Sequence, residues 1–345
     1  MEGADLAPDP EVLEVRGLRT ELRLHNRVVP VVNDLSFSLR ASETLGIVGE
    51  SGCGKSMTAL SIMRLVPDPP GRIAGGSVRF CGTELLDLSD RQMRKLRGSS
   101  ISMVFQEPMT SLNPVRTIGS QIVEAIVTHR DPGRRAAQEQ ATEMLRLVRI
   151  PDARARLDDY PHHLSGGMRQ RVMIAMALCC EPRVLLADEP TTALDVTIQA
   201  QIMGVIAELR ERLGTAIVLI THDLGVIAES CDRVLVMYGG HGVEEATASA
   251  LFAAPLHPYT RGLLDSVPRL SAGAASASIG EPRRRLREIK GTVPALDELP
   301  PGCPYAPRCP LASAQCHAAM PPLIAKRPRH LAACWHSDRV AELSP

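Results

Sequence analysis

Polar and apolar residues alternate in Leu13-Glu14-Val15 and again through residues 32–39, a period of two that predicts half-buried antiparallel strands from Glu11 onward. Thr44-Leu45-Gly46-Ile47-Val48 is apolar almost throughout and predicts a strand buried on both faces, followed by a glycine-rich turn and a helix. Pro67, Pro69, Pro70 and Gly71 break the chain before strand-like runs at 77–80 and 101–105. From Ile118 to about Ile150 the apolar positions step by three and four (Ile118, Ile122, Ile126, then Met144, Leu147, Val148), which predicts helix. Buried strands return at 184–187 and 216–220, with a helical run over 198–213 between them. Strand, helix, strand in that order implies a parallel sheet, so the expected class is α/β.

After Arg269 the chain becomes SAGAASASIG, then basic in EPRRRLREIK, then dense in Pro and Cys. This predicts a first domain over 11–265, a linker at about 266–288 and a small Cys-rich module over 289–345. A length of 345 residues is more than one compact core usually holds, which fits two units. With 44% hydrophobic and 23% charged residues, wholesale disorder is excluded. The 39 Lys and Arg balance 39 Asp and Glu, and only 3% of residues are aromatic, so neither a global basic field nor a base-stacking platform for nucleic acid is expected. No apolar run approaches the ~18 residues of a membrane span, and MEGADLAPDPEVLEV is acidic, so a cytoplasmic location is expected. Nine cysteines, an odd number, then speak for thiols or metal ligands rather than a disulfide framework. Arg283-Arg284-Arg285 is most simply a solvated part of the linker.

Candidate chemistry begins at Gly49-Glu50-Ser51-Gly52-Cys53-Gly54-Lys55-Ser56, which fits G-x4-G-K-[ST] between a buried strand and a helix. Glycines let the backbone curl so that successive N–H groups face phosphate, Lys55 adds a point charge, and the Ser56 hydroxyl can ligate Mg²⁺. The run from Arg183 to Asp188-Glu189 is an apolar strand ending in two carboxylates, which brings acids to the same sheet edge. Asp188 is expected to hold Mg²⁺ through water, and Glu189 to polarise the attacking water.

Leu164-Ser165-Gly166-Gly167-Met168-Arg169-Gln170-Arg171 resembles the signature of ABC-type ATPases. A serine and two glycines at a helix N-terminus make an anion site, although the same residues also serve as a plain cap and turn. The resemblance covers about residues 11–265 and implies a RecA-like parallel-sheet core, an antiparallel β subdomain and a helical subdomain at about 107–178. It further implies a head-to-tail dimer with ATP between the loop of one subunit and the Ser165-Gly166-Gly167 of the other. By the same resemblance Gly49 to Ser56 and Met57 surround the nucleotide, Lys55 sits on the phosphates, and Ser56, Asp188 and Gln106 hold Mg²⁺. Glu189 is then the general base, His222 the switch that contacts the γ-phosphate, and Asp195 in Thr191-Thr192-Ala193-Leu194-Asp195 a contact across the dimer. Taken alone, Asp195 is as well explained as a helix cap and His222 as a structural histidine. Two departures from the family pattern stand out. Glu21-Leu22-Arg23-Leu24-His25 lacks the aromatic that stacks on adenine, leaving Leu22 or His25 as substitutes, and Ser42 replaces a turn glycine.

Gly-Glu-Ser-Gly at 49–52, the run from Phe105 to Pro114 and Leu256-His257-Pro258-Tyr259-Thr260 are similar to the peptide importer branch, some of whose members carry nickel. That resemblance implies a peripheral translocating ATPase on the cytoplasmic face of the plasma membrane. Its partners would be two permeases, a second ATPase subunit (paralogue or identical copy) and an extracytoplasmic peptide-binding protein, with no nucleic acid. Cys303, Cys309, Cys316 and Cys334 are separated by five, six and seventeen residues, unlike the paired C-x2-C of zinc ribbons. In this branch a similar Cys set binds a [4Fe–4S] cluster. Structural zinc, with His317, His330 or His336 in mixed ligation, and free thiols are the alternatives. The remaining cysteines, including Cys179 and Cys180, read as core. A soluble ABC ATPase acting on DNA or the ribosome, or an exporter ATPase, is disfavoured by the single motif set and this tail.

Overall fold

The computed structural model describes residues 11–24, 27–106, 111–191, 195–266 and 288–343. The period-two start of the chain forms β1 (Glu11–Leu24) and β2 (Arg27–Arg40), paired antiparallel. The apolar run is β3 (Thr44–Val48), buried throughout, which leads through the glycine turn into α1 (Lys55–Ile62). β4 (Gly71–Phe80) returns to β1 and carries β5 (Thr83–Glu84), completing a sheet ordered β2-β1-β4-β5. β4 starts well before the strand expected at 77, because its backbone ladder to β1 includes Gly71 and Gly75, which contribute no apolar pattern. Next comes α2 (Asp90–Leu96), a helix with no counterpart among the sequence expectations. Its signal is present all the same: Ser89 accepts from the Gln92 N–H while the Gln92 side chain accepts from the Ser89 N–H, a reciprocal S-x-x-Q cap.

After β6 (Ile101–Val104) the expected helical insert follows as α3 (Ile118–Arg130), α4 (Arg134–Leu147) and α5 (Gly166–Leu178). The continuous pattern over 118–150 is divided because Pro132 has no N–H to donate and Asp131 adopts a φ of 49°. The chain then alternates through β7 (Val184–Asp188), α6 (Val196–Leu213), β8 (Ala216–Ile220), α7 (Leu224–Ser230) and β9 (Arg233–Tyr238). β10 (His241–Thr247), α8 (Ala248–Ala253) and α9 (Pro258–Ser266) follow. After residue 288 come α10 (Ala314–Ala318), β11 (Ile324–Arg327) and β12 (His330–Ala332).

Eight strands share one sheet in the order β11-β12-β10-β9-β3-β8-β7-β6, and the five from β9 to β6 are parallel as expected. Successive side chains on those strands point to opposite faces. Leu45, Ile47, Leu186 and Val218 therefore pack with α1 and the antiparallel sheet, while Leu185, Ala187, Ile217 and Leu219 pack with the helical insert. Each such fully buried Leu or Ile contributes roughly 2–3 kcal/mol. Both faces being covered, the edge formed by the carboxyl ends of the strands is what remains for a ligand.

The Cys-rich segment extends this sheet: β12 pairs with β10, and β11 with β12. It is anchored by a buried contact between His330 Nε2 and Glu244 Oε1 at 2.7 Å. The same carboxylate accepts from the Leu256 and His257 N–H groups, so its lone pairs are satisfied. His257 is itself 1% exposed, and its Nδ1 accepts from the Tyr259 N–H at 3.1 Å, which requires the neutral ring. Burial pushes its pKa down to about 4, with the Glu244 charge pulling weakly the other way. A histidine depressed from about 6.5 binds its proton in the unfolded state first. Its contribution is therefore fully present above about pH 6.5 and is lost as the pH falls toward 4, by up to about 3 kcal/mol. Thermal melting between pH 7 and 5 should show His257→Asn, which keeps an acceptor but cannot titrate, losing less stability than the parent; equal losses would exclude this role.

Ser42 adopts a φ of 56°, so this turn does call for the left-handed conformation that a glycine would adopt freely. The strain is about 1 kcal/mol, partly offset by a long hydrogen bond from its hydroxyl to the Gly214 carbonyl. Among the described residues no helix is long and apolar enough to cross a membrane.

Candidate active site

The four loops that leave β3, β6, β7 and β8 all emerge at the carboxyl edge of the parallel sheet, and they carry the phosphate loop, Gln106, Asp188-Glu189 and His222 respectively. In the phosphate loop Gly54 has a φ of 102° and caps α1, and a Cβ there would lie 2.3 Å from the Val31 carbonyl oxygen. At Gly49 a Cβ would come within 2.2 Å of the Met237 carbonyl oxygen. Both positions thus exclude any side chain, for conformational and steric reasons together. Lys55 folds back so that Nζ donates to the Gly49 and Glu50 carbonyls at 2.7 and 3.1 Å, which holds the curl closed. Ser51 and Gly52 form the exposed tip of the turn. Cys53 is 1% exposed and burial pushes its thiol pKa up, so it packs into the core and leaves only its backbone for phosphate. Met57, within α1, likewise packs on the core.

Ser56 Oγ donates to Asp188 Oδ1 at 3.0 Å, so the two expected Mg²⁺ holders are adjacent across the gap between α1 and β7. Burial raises the Asp188 pKa, the neighbouring Glu189 charge adds to it, and the Ser56 bond opposes them. Glu189 adopts a φ of 45°, an unusual conformation for a glutamate that turns its side chain off the strand direction. Its carboxylate accepts from Gln106 Nε2 at 2.9 Å and lies 3.4 Å from His222 Nδ1. Gln106, Glu189 and His222, far apart in sequence, therefore form one constellation: a carboxylate with two polar groups that orient it.

The signature lies elsewhere. Ser165 caps α5 by accepting from the Met168 N–H, with Gly166 and Gly167 opening the helix. That helix packs on α3, α4, α6 and β6, whereas α1 packs on β1, β2 and β7. Two helix N-termini suited to anions are thus carried by different layers of the molecule. Asp195 caps α6, accepting from the Ile198 N–H at 2.9 Å, so the helix-cap role is the one seen within this chain. Residues 192–194, 107–110, His25 and 267–287, with Arg283-Arg284-Arg285 among them, lie outside the described residues. Leu22 packs against Gly71 at the start of β4, and Leu24 is exposed.

Contacts that the sequence reading missed surround Glu50. Its N–H donates to the Tyr259 hydroxyl at 2.8 Å, and its carboxylate takes two bonds from Arg308, at 2.7 and 3.1 Å. Three of the chain's four tyrosines, Tyr238, Tyr259 and Tyr305, meet here with ring centroids 4.7 to 5.4 Å apart. The only advance signal was Tyr259 within Leu256-His257-Pro258-Tyr259-Thr260.

Cys303, Cys309, Cys316 and Cys334 line one small enclosed cavity with Trp335 and His336. Burial first, and then the nearby thiols of the set, raise the Cys309 thiol to about 12 and the Cys334 thiol to about 11. Yet among the described residues no three His, Cys, Asp or Glu side chains are placed to hold one metal ion. The expected metal centre is corrected to that extent. The fold gathers the four cysteines around one cavity without placing three of them to share one ion. His317 is exposed, and His330 is committed to Glu244.

The model of the ABC transporter family matches residues 32–192, and that of the oligopeptide/dipeptide transporter C-terminal region matches 243–316. The chain is 51% identical to the oligopeptide transport ATP-binding protein OppD of Salmonella typhimurium, over 97% of each protein. It is 47% identical to the dipeptide transport ATP-binding protein DppD of Bacillus subtilis, over 96% of each. Among solved structures, the dimeric post-hydrolysis ATP-binding cassette MJ0796 bound to ADP and phosphate superimposes with a TM-score of 0.62 at 26% identity, over 68% of this chain and 98% of that one. The central sheet, the phosphate loop and these likenesses over nearly the whole length agree: the chain belongs to the ABC transporter ATP-binding family, in its oligopeptide and dipeptide branch.

Proposed function

We propose that this chain hydrolyses ATP to drive peptide import through a membrane ABC transporter. The observation that carries the ATPase chemistry is the convergence of Lys55, Ser56, Asp188, Glu189, Gln106 and His222 on one sheet edge. In the proposed reaction Lys55 exchanges the loop carbonyls for the phosphates. Ser56 and Asp188, with Gln106, would hold Mg²⁺, which would supply positive charge against the phosphates. Glu189 takes a proton from the water that attacks the γ-phosphorus as the bond to the β–γ bridging oxygen breaks and ADP leaves. Gln106 and His222 hold the Glu189 carboxylate toward that water, His222 also reaching the γ-phosphate.

The separation of α5 from α1 supports a composite site, in which Ser165, Gly166 and Gly167 of one subunit complete the nucleotide site of another. Asp195, exposed at the start of α6, would then touch the partner subunit while it caps its helix. The partner is a second copy or a paralogue. The pair docks on two permeases at the cytoplasmic face of the plasma membrane, served by an extracytoplasmic peptide-binding protein. In domain terms residues 11–265 are the nucleotide-binding domain, 266–288 a linker and 289–345 the C-terminal module. For the four cysteines that line this cavity, three of them buried, a [4Fe–4S] cluster is the proposed occupant, whose irons the four thiolates would hold, with structural zinc as the alternative.

One experiment tests these assignments together: anaerobic affinity isolation from native membranes, with mass spectrometry, an ATPase assay, and iron and labile-sulfide analysis. The expected isolate is a brown ATPase containing two permeases, a second ATPase subunit and a peptide-binding protein. Recovery of only soluble DNA- or ribosome-associated partners would overturn the transport reading. A colourless, zinc-loaded protein would remove the cluster.

A further inference from the structure

Arg308 belongs to the Cys-rich segment, yet its guanidinium reaches the phosphate loop. Its side chain is 5% exposed and forms a two-pronged pair with the Glu50 carboxylate, while Nη1 also donates to the Tyr238 hydroxyl at 3.2 Å. The guanidinium carbon stands 5.9 Å from the Tyr238 ring and 6.0 Å from that of Tyr305. Arg308 ends the short helical turn Ala306–Arg308, directly before Cys309, and the Ala306 N–H donates to the Cys303 carbonyl. The position of the guanidinium is therefore set by the backbone that carries the cysteines. A second route runs beside it. Leu299 and Pro304 pack on Gly239, and the adjoining Gly240 N–H donates to the Cys53 carbonyl of the phosphate loop at 3.1 Å.

Chemistry explains why such a brace is needed. Glu50 places a negative charge in a loop built to receive anions, and its own N–H is turned to Tyr259. An unpaired carboxylate there would repel phosphate, and a free side chain would let the first turn of the loop rearrange. The bidentate guanidinium cancels the charge and fixes the residue's direction at once, which a lysine could do only in part. We propose that Arg308 is a positioning residue for nucleotide binding, through which the C-terminal segment holds the phosphate loop of this same chain in its binding form. The inference rests on the ATPase reading and goes beyond it, since it makes nucleotide affinity depend on a segment outside the nucleotide-binding domain.

The test is steady-state ATP hydrolysis by the full complex carrying Arg308→Ala, Arg308→Lys, Glu50→Gln or the double change Arg308→Ala with Glu50→Gln. Arg308→Ala should raise KM for ATP roughly tenfold while kcat stays within about twofold, because a charge-assisted pair is lost but no reacting group is. Arg308→Lys should fall between it and the parent. The double variant should recover most of the loss, since the acid that Arg308 neutralises is gone. An unchanged KM in Arg308→Ala, a double variant whose effects simply add, or a fall in kcat in step with the melting temperature would each overturn the proposal. Should Arg308→Ala fail to fold, the KM of Arg308→Lys decides in its place. Absence of hydrolysis in the parent complex would instead count against the ATPase reading, and nucleotide titration of the same variants would then supply the affinities that decide the role of Arg308.

Discussion

Glu189→Gln should lower kcat for ATP hydrolysis by roughly 10²–10⁴-fold, the range in which a positioned general base contributes. ATP affinity should stay within about threefold, because no phosphate-binding group is altered. The substitution changes the charge of the side chain but scarcely its size. The carboxylate accepts from Gln106 Nε2 and sits beside His222 Nδ1, so the amide can keep its oxygen toward Gln106 and occupy the same place. It cannot take up a proton from water at neutral pH. The left-handed backbone at Glu189 is retained as well, since φ of 45° is as strained for glutamine as for glutamate. Parallel nucleotide titration and single-turnover hydrolysis check the prediction, and near-normal turnover would end the general-base assignment. In a composite site the nucleotide would persist unhydrolysed, so size-exclusion chromatography with ATP should show more of the closed dimer for this variant than for the parent.

Lys55→Ala should abolish turnover by a different path, weakening ATP binding by about 10²-fold or more. Lys55 is 6% exposed, and its ammonium donates to two carbonyls of the loop, at Gly49 and Glu50. Its removal leaves those carbonyls without their donor in the ligand-free protein and leaves the phosphates without their point charge in the complex. Arginine should not rescue it. A planar fork of N–H groups does not reproduce the pair of bonds that the compact ammonium makes to the Gly49 and Glu50 carbonyls. Isothermal titration with a non-hydrolysable ATP analogue measures the loss directly, and affinity within threefold of the parent would refute the role. The two substitutions are thus separable: one uncouples binding from chemistry, the other removes binding.

Much of the site was legible before any coordinates because its parts are local. A glycine-rich turn between an apolar strand and a helix, an apolar strand ending in Asp188-Glu189, and a serine with two glycines opening α5 are each short-range patterns with a physical purpose. The same holds for β3, β7 and β8, whose unbroken apolar runs match the buried strands almost residue for residue. Where the reading fell short, the pattern was weak or the cause was distant. β4 was shortened because glycines carry no apolar signal, and α2 was passed over although its capping box is written at Ser89 and Gln92. The Ser42 turn illustrates a middle case: a replaced glycine was visible in the sequence, but only the backbone revealed that the position needs a positive φ.

The sequence by itself determined the class of fold, the location of the phosphate-binding turn and the identity of the acids, since periodicity and short motifs are set by neighbours along the chain. Tertiary structure decided what is brought together. It joined Gln106, Glu189 and His222 from three strand ends and built the Cys-rich segment into the main sheet through β12. It also set Arg308 against Glu50, 258 residues away, and gathered four cysteines without closing them on one ion. Such pairings depend on which strands lie side by side and which face each side chain takes, and those are fixed only when the whole core packs.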